Sequence, residues 1–507
     1  MNKNIFQQVQ MSDPDSNTFD LSHDLKMSMK MGFLYPTLIQ EVVPGDSFDI
    51  ANQVMLRMAP LVSPVMHRVD TTQHFFFVPN RIIWPNWEDF LTKPVDEAPT
   101  HPYLNQNSAI AEGSLLDYMG LPTGTAPDQT VTKINALPIA AYAKIWNEYY
   151  RDQNLQEKIL DTCVDGMNAD GPHLNYSLQK RAWEHDYFTS ALPFAQKGEA
   201  VSIPTGDVKL KDTADIDLNN LPRFTSATKS NINAGSIVTT DTQYIRNSST
   251  PVTAMFYDPN GSLITQATTI TDLRRAYKLQ EFLEKDARGG TRYNELIQSH
   301  FGVKISDSRI QRPEYLGGTK APMIISEVLQ TSATEVETPQ GNMAGHGISV
   351  NGGQICNYRA EEHGFIIGII NVQPRTAYQQ GIDRKWTRRE KFDYYWPEFA
   401  QIGEQPILNQ ELYLRGGGED VDVFGYVPRY SEYKYANNRV SSQFRSTLAY
   451  WHMGRIFDSA PNLNPGFIMA DPTTRIFAVE IGDVLYCHIY HQIKARRKMP
   501  YFGNPTM

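Results

Sequence analysis

The spacing of hydrophobic positions predicts β-strands in the first part of the chain and in its middle. In SFDIANQVMLRM, residues 47–58, apolar side chains recur at almost every second position, which is typical of a strand with one buried face. The segment HFFFV at 74–78 predicts a short strand that ends at Pro79. The apolar run of residues 364–372 is continuous, so it predicts a strand buried on both faces.

Two more alternating runs lie near the C-terminus, at residues 477–481 and 485–493. The dipeptide Gly482-Asp483 separates them and predicts a hairpin turn. Strands are therefore expected at both ends of the chain and in its middle. That distribution favours a β-sandwich whose sheets are closed by strands distant in sequence.

Helical spacing of apolar residues appears in three connecting segments, at 140–150, 271–288 and 291–301. The second helix is predicted to end at Gly289-Gly290, and the third at Gly302 as its C-cap. Helices of this length do not fit hairpin loops. They predict large insertions between the strands.

Residues 195–270 differ in character from the rest of the chain. They are rich in Ser, Thr and Asn and poor in residues suited to a core. A disordered linker is one interpretation. Recurring β-branched residues and the turn signal at 258–261 favour the other, a β-structured surface excursion.

Composition raises a question about the surface of the molecule. The 507 residues include 47 Lys and Arg against 56 Asp and Glu, a formal net charge of −9, and only 20% of residues are charged. Soluble domains average about 25%. Aromatic residues make up 11% of the chain, which excludes global disorder. Low charge with many aromatic residues indicates that much of the outer surface is covered by another molecule.

The cysteines and the N-terminal residues bear on the compartment. Cys163, Cys356 and Cys487 are far apart and odd in number, so no disulfide framework is expected. Either a reducing compartment or indifference to redox conditions fits them. The first 20 residues lack the apolar region of a signal peptide, and the longest apolar run is too short to cross a bilayer. We expect a soluble chain without a membrane partner.

Motifs for catalysis or metal binding are not found. The sequence has no GxxxxGK[ST], GxSxG, CxxC or HExxH. Gly416-Gly417-Gly418 precedes carboxylates that would repel a phosphate, so a glycine turn is the better interpretation. His488 and His491 point to opposite faces of a strand and cannot share a metal ion. The sequence therefore predicts no catalytic residue, no metal site and no cofactor.

Two groups of basic residues are candidates for contact with nucleic acid. Cations beside aromatic rings suit single-stranded nucleic acid, because the charges follow the phosphates while the bases stack. The alternative is a solvated charged face over a packed aromatic core, and it is favoured for the first group. The first basic group is Arg384, Lys385, Arg388 and Arg389, and the C-terminal basic group is Lys494, Arg496, Arg497 and Lys498.

Several long segments identify a family by resemblance. GTRYNELIQSHFGVKISDSRIQRPEYLGGTKAPMIISEVLQTS, at 290–332, is similar to the major capsid protein of small tailless single-stranded DNA phages, the Microviridae, and most of all to their gokushovirus-type branch. The other matching segments occur in the order of the family and lie at 19–36, 41–48, 74–90, 361–386, 396–413 and 424–452. Residues 91–270 depart most from the family's pattern.

The resemblance implies a fold and a function. The expected fold is all-β with inserted helices, a single eight-stranded antiparallel jelly-roll β-sandwich with very long inter-strand loops. The expected function is self-assembly into a small T=1 icosahedral shell around circular single-stranded DNA, without enzymatic activity. The implied partners are copies of the chain, the packaged DNA, minor virion proteins of the DNA-binding and pilot type, and a host surface receptor. The implied location is the virion, assembled in the cytoplasm of a bacterial host.

The resemblance also implies a division of the chain. Residues 1–194 would hold an N-terminal arm, the first jelly-roll strands and long helical loops. Residues 195–270 would be a variable surface insertion that forms a three-fold protrusion. Residues 271–507 would hold a helical loop segment, the remaining jelly-roll strands and the basic C-terminal tail.

Candidate inter-subunit residues lie in the matched segment QRPEYLGG. Arg312 and Glu314 can form ion pairs across an interface, and Tyr315 and Leu316 can anchor it. Packing in the core is an equally good interpretation of Tyr315 and Leu316.

Two other functions remain open on the residues alone. A β-sandwich that binds or cleaves carbohydrate would also use many Tyr and Trp residues, and a cleaving enzyme would need a paired-carboxylate cleft. The excursion at 195–270 is a further candidate for binding a glycan or protein on a host surface.

Overall fold

The computed structural model describes residues 15–106, 108–124, 126–127, 132–199, 201–202, 269–329, 343–479 and 482–502. Most of the predicted excursion at 195–270 lies outside these residues. Two compact units are present, one of residues 1–195 with 285–507 and one of residues 196–284. In the second unit, the Lys197 amide donates a hydrogen bond to the Leu283 carbonyl at 3.2 Å. The predicted three-part division of the chain stays a prediction.

Strands account for most of the regular structure in the described part of the chain. They are β1 Asn17–Asp20, β2 His23–Met29, β3 Tyr35–Val42, β4 Ser47–Met58, β5 Val69–Pro79, β6 Tyr103–Asn105, β7 Met167–Ala169, β8 Glu314–Pro322, β9 Ile324–Leu329, β10 Met343–Arg359, β11 Gly364–Pro374, β12 Glu404–Leu408, β13 Val423–Pro428 and β14 Leu485–Arg497.

Helices lie in the connections between these strands, and most are short. They are α1 Asn80–Ile83, α2 Trp87–Thr92, α3 Leu115–Tyr118, α4 Leu137–Ile145, α5 Ile270–Gly289, α6 Tyr293–Phe301, α7 Asn409–Leu412, α8 Ser431–Lys434 and α9 Pro465–Ile468. A π-helical turn, Trp146–Tyr150, continues α4. None of the described helices is both long and apolar enough to span a bilayer.

Two antiparallel sheets form the centre of the first unit. In the first sheet the strand order is β1-β14-β4-β10-β9, and β2 also pairs with β14. The order in the second sheet is β3-β11-β5-β8. Strands from both ends of the chain thus meet at β14, which pairs with β1 and β2 on one side and with β4 on the other.

The inner faces of the two sheets bury a shared core. Phe48 and Ile50 of β4 and Ile493 of β14 pack in one cluster with Phe75 of β5 and Ile366 of β11. On β4 the residues between them are exposed or half-buried, as the alternating pattern predicts. The predicted sandwich of antiparallel strands with inserted helices is confirmed at this level.

The outer face of the second sheet is covered by the long connection after β5. Phe365 and Ile367 of β11 pack there against Ala140 and Ile145 of α4. Because β11 has apolar neighbours on both sides, each of its residues is buried. This arrangement explains why its sequence is continuously hydrophobic rather than alternating.

The helix predictions are confirmed, and one strand prediction is wrong. The predicted helices correspond to α4 with its π-helical turn, α5 and α6, and Gly302 adopts the left-handed conformation, φ 70°, at the end of α6. In the strand predicted at 477–481, residues 477–479 form no strand, although Phe477 makes an isolated bridge to Leu61, and residues 480–481 lie outside the described residues. Phe477 is buried in the core, so its hydrophobicity reflects packing rather than strand pairing.

Candidate functional site

The C-terminal basic group lies at the end of β14, and its members Lys494 and Arg496 are on the outer face of the first sheet. Ile493 and Ala495 point into the core, so Lys494 and Arg496 between and after them are exposed. Both line a surface depression that Arg359 also lines. Asp49 lies in the same depression and is the strand partner of Lys494. Three cations against one carboxylate give this depression a positive excess.

Arg497 differs from its neighbours because it contacts its own chain. Its Nε lies 3.1 Å from Oδ2 of Asp46, which is almost fully buried. Its Nη2 donates a hydrogen bond to the Glu41 carbonyl at 2.8 Å, and its guanidinium lies 5.5 Å from the ring centre of Phe48. Arg497 therefore stabilises the turn between β3 and β4. Lys498 follows the strand and is exposed.

In the first basic group, two residues are held by the same chain and two are exposed. Arg388 pairs with Glu432 at 3.2 Å, and both side chains are at least nine-tenths buried. Arg384 donates a hydrogen bond to the Pro406 carbonyl at 3.1 Å. Lys385 is exposed and lies 3.0 Å from Asp383, and Arg389 is exposed.

The aromatic residues next to the first basic group are not core residues of the single chain. They form an aromatic loop, residues 386–396, in which Trp386 is 72% exposed and Trp396 is 44% exposed. Phe392, Tyr394 and Tyr395 are about half exposed. Contiguous exposed aromatic side chains are typical of a surface that another molecule covers.

The four candidate inter-subunit residues lie at the start of β8 and just before it. Arg312 pairs with Asp307 at 3.4 Å and lies 4.1 Å from the ring centre of Tyr149. Burial, with the nearby Asp307, raises the pKa of Glu314. Tyr315 is 48% exposed, and Leu316 packs against the core shared by the sheets. Their role between subunits stays a prediction.

An ionic network around the buried Asp70 joins segments that are far apart in sequence, and sequence reasoning missed it. Asp70 is 3% exposed, and its carboxylate contacts Arg68 at 3.2 Å, Arg375 at 3.0 Å and Lys320 at 3.3 Å. Burial alone would raise the pKa of Asp70, but Lys320 and Arg68 lower it overall. Glu184 pairs with Lys320 and Arg375 in the same network. No local motif marks these residues, because they belong to four separate segments.

Histidines and cysteines offer no site for metal chemistry in the described ranges. No group of three or more His, Cys, Asp or Glu side chains there is placed to hold a metal ion. His491 is fully buried and His488 is half exposed beside Asp24, so the prediction of opposite faces is confirmed. Burial raises the pKa of Cys163 and of Cys487 to about 12, so both thiols stay protonated at neutral pH.

Comparisons with known proteins identify a family for this chain. Residues 7–507 match the model of the family described as "Capsid protein (F protein)". A capsid protein VP1 of Chlamydia phage 1 is 34% identical over 100% of this chain and 98% of its own length. A capsid protein VP1 of Bdellovibrio phage phiMH2K is 37% identical over 95% of this chain and 93% of its own length. A capsid protein VP1 of Spiroplasma virus 4 is 30% identical over 96% of this chain and 94% of its own length.

The fold and these matches define a structural protein of a bacteriophage shell, not an enzyme. The chain belongs to the capsid protein (F protein) family. The relatives come from Microviridae, the group that the sequence resembles.

Proposed function

We propose that copies of this chain assemble into a small T=1 icosahedral shell, with one chain per asymmetric unit, that encloses circular single-stranded DNA. The observation that carries this proposal is the match to the capsid family over residues 7–507. The exposed aromatic loop supports it, because an isolated soluble chain rarely leaves so many rings uncovered. The low content of charged residues fits a chain whose perimeter is covered by neighbouring copies.

The proposed fold of the shell domain is a jelly roll of eight strands. Four strands of the first sheet, β2-β14-β4-β10, would face the four strands of the second, β3-β11-β5-β8. Along the chain these eight strands pass repeatedly from one sheet to the other, which supports a double-sheet jelly roll. Viral capsid domains commonly use this architecture.

Genome contact is proposed for the exposed members of the two basic groups. Lys494 and Arg496 lie in a depression with a positive excess. Lys385 lies 5.8 Å from the ring centre of the exposed Trp386, and Arg389 is an exposed residue of the aromatic loop. Local cationic patches of this kind suit DNA even though the net charge of the chain is −9. Arg497 and Arg388 have partners in their own chain, so their share of this role is smaller.

The remaining partners follow from the family resemblance. We propose minor virion proteins of the DNA-binding and pilot type as partners, and assembly in the cytoplasm of the bacterial host. The insertion at 195–270 would form a surface protrusion and contribute to attachment to a host receptor. The division at residues 194 and 270 belongs to this proposal.

Electron microscopy of the purified chain, with and without the minor virion proteins, tests the proposed function. We expect uniform small particles, and circular single-stranded DNA inside them that is protected from nuclease. A chain that stays a monomer or small oligomer at every salt and protein concentration would contradict the shell. Particles that form but never protect DNA would contradict the genome-enclosing part alone.

A further inference from the structure

A cleft on the outer side of the second sheet has no role in the proposed assembly. Its volume is about 770 Å³, which lies within the range of small-molecule sites. Residues of β5, of the π-helical turn after α4, of α6 and of β8 form its walls. The lining residues used below are Tyr149, Tyr150, Arg181, Trp183, Lys304 and Tyr315.

Aromatic rings form much of the cleft wall, and one of them is accessible. Tyr150 is 8% exposed and Trp183 is 4% exposed, so both belong mainly to the packed wall. The ring of Tyr149 is covered by Arg312 at 4.1 Å. Tyr315 is 48% exposed, while its ring also contacts Phe76, with centroids 5.5 Å apart. The ring of Tyr315 is therefore held in place and open to a ligand.

Arg181 supplies a positive charge that no carboxylate in the described part of the chain contacts. Its Nη1 donates a hydrogen bond to the Thr72 hydroxyl at 2.8 Å, and its guanidinium lies 6.0 Å from the ring centre of Tyr150. Burial lowers the pKa of the Arg181 guanidinium, and the nearby Arg375 lowers it further. Arginine nevertheless stays charged at neutral pH. A cation desolvated in this way is stabilised by an anion.

The carboxylates that line the cleft are already paired. Asp307 lies 3.4 Å from Arg312, and Glu184 pairs with Lys320 and Arg375. Lys304 is exposed at the cleft and adds a further positive charge. The cleft therefore offers two cations and an open aromatic ring, but no uncommitted carboxylate among its described lining residues.

We propose that this cleft binds one nucleotide unit of single-stranded DNA, with the base stacked on Tyr315 and the phosphate paired with Arg181. An aromatic face beside a cation is the arrangement that recognises single strands without reading their sequence. A neutral sugar would also suit the aromatic wall, but it would leave the charge of Arg181 uncompensated. The inference rests on the proposed function, because the packaged genome is the source of the nucleotides. It places a genome contact away from both basic groups predicted from the sequence.

Ultraviolet cross-linking of intact particles, followed by mass spectrometry of the nucleotide-bearing peptides, tests the position of the contact. We expect cross-links at Tyr315 in the peptide that contains β8. If Tyr315 instead lies in an interface between subunits, the neighbouring subunit covers its ring and no cross-links form there. If DNA-filled particles form but all their cross-links lie elsewhere, the proposal that the cleft binds DNA is wrong, while the proposed shell assembly is unaffected. A preparation without DNA-filled particles would contradict the proposed function instead.

Binding of fluorescent oligothymidylate to the full-length chain tests the chemistry of the cleft. Loss of one charge-assisted contact predicts about ten- to hundredfold weaker binding for Arg181→Gln. Arg57→Gln removes an exposed arginine of β4 and should bind like the wild type. Tyr315→Ser changes a half-exposed side chain, so it should weaken binding without loss of folding. Equal affinity of Arg181→Gln, Tyr315→Ser and the wild type would overturn the proposal.

Competition experiments distinguish the classes of ligand. Thymidine monophosphate should displace the oligonucleotide from the wild type, and inorganic phosphate alone should do so only at higher concentration. If thymidine monophosphate displaces it but the particles give no Tyr315 cross-link, the site takes a free nucleotide and the assignment to the genome is wrong. If glucose displaces the oligonucleotide and thymidine monophosphate does not, the proposed nucleotide ligand is wrong and the cleft is a sugar site.

Discussion

Replacement of the buried His491 by glutamine should make the folded chain less sensitive to acid. The Nε2 of His491 is 2.9 Å from the Thr37 carbonyl, to which it donates, and the side chain is fully buried. Burial, with a smaller contribution from His23, lowers its pKa from 6.5 to about 4. The unfolded chain therefore takes up a proton near pH 6.5, whereas the folded chain does so only near pH 4. Stability is lost as the pH falls through this window.

The size of the effect follows from the two pKa values. At pH 7 both states hold His491 mostly neutral, so the residue contributes almost no pH dependence. At pH 5 the unfolded state is mostly protonated and the folded state is not, which destabilises the fold by about 2 kcal/mol relative to pH 7. Burial lowers the pKa of His74 to about 4 as well, so a second loss of similar size is expected. Burial also lowers the pKa values of His67, His101 and His452, so the His491→Gln variant should lose only the part that belongs to His491 and keep the rest.

Urea unfolding followed by tryptophan fluorescence at pH 7 and pH 5, at one fixed protein concentration, measures this difference. Because each variant is compared with itself at the two pH values, a general loss of stability does not affect the result. The control is His488→Gln, on the exposed face of the same strand. This variant should retain the loss of stability between pH 7 and pH 5 that His491 causes. If His491→Gln loses as much stability between pH 7 and pH 5 as the wild type, the reasoning is refuted.

Three substitutions test other parts of the fold, each by its urea unfolding free energy. Ile367→Ala opens a cavity between β11 and α4 and should cost about 2–5 kcal/mol; a loss below 1 kcal/mol would contradict the burial of β11 on both faces. Asp70→Asn removes a carboxylate that three cations contact and should cost about 2 kcal/mol, an amount limited by the exposure of those cations and by Glu184, which still pairs with Lys320 and Arg375. Gly302→Ala should cost about 1 kcal/mol because φ is 70° there, and an unchanged stability would argue against the left-handed cap.

The sequence was sufficient where the structural cause is local. Alternation along β4, the continuous apolar run of β11 and the glycines that end the helices each reflect the immediate surroundings of those residues. Residues 477–479 show the limit of this reasoning, because Phe477 is hydrophobic through packing with distant residues and forms no strand. Alternation in such a short segment does not distinguish the two causes.

For the candidate sites, residue types were predictable and their partners were not. The basic groups were evident in the sequence, yet the ion pair of Arg497 with Asp46 joins residues more than 400 positions apart. The cleft was missed for the same reason. Arg181 belongs to neither basic group of the sequence, and its significance comes from aromatic residues that three other segments bring to it.

The central place of β14 in the first sheet has a consequence for the timing of synthesis. Strands β1, β2 and β4 emerge from the ribosome well before β14, the strand that joins them. At about 5–20 residues per second, the early strands wait roughly half a minute to a minute and a half for their partner. The first sheet therefore closes only after the residues between β4 and β14 have been translated. Until β14 is made, a nascent chain cannot present the completed first sheet to its neighbours on the same messenger RNA.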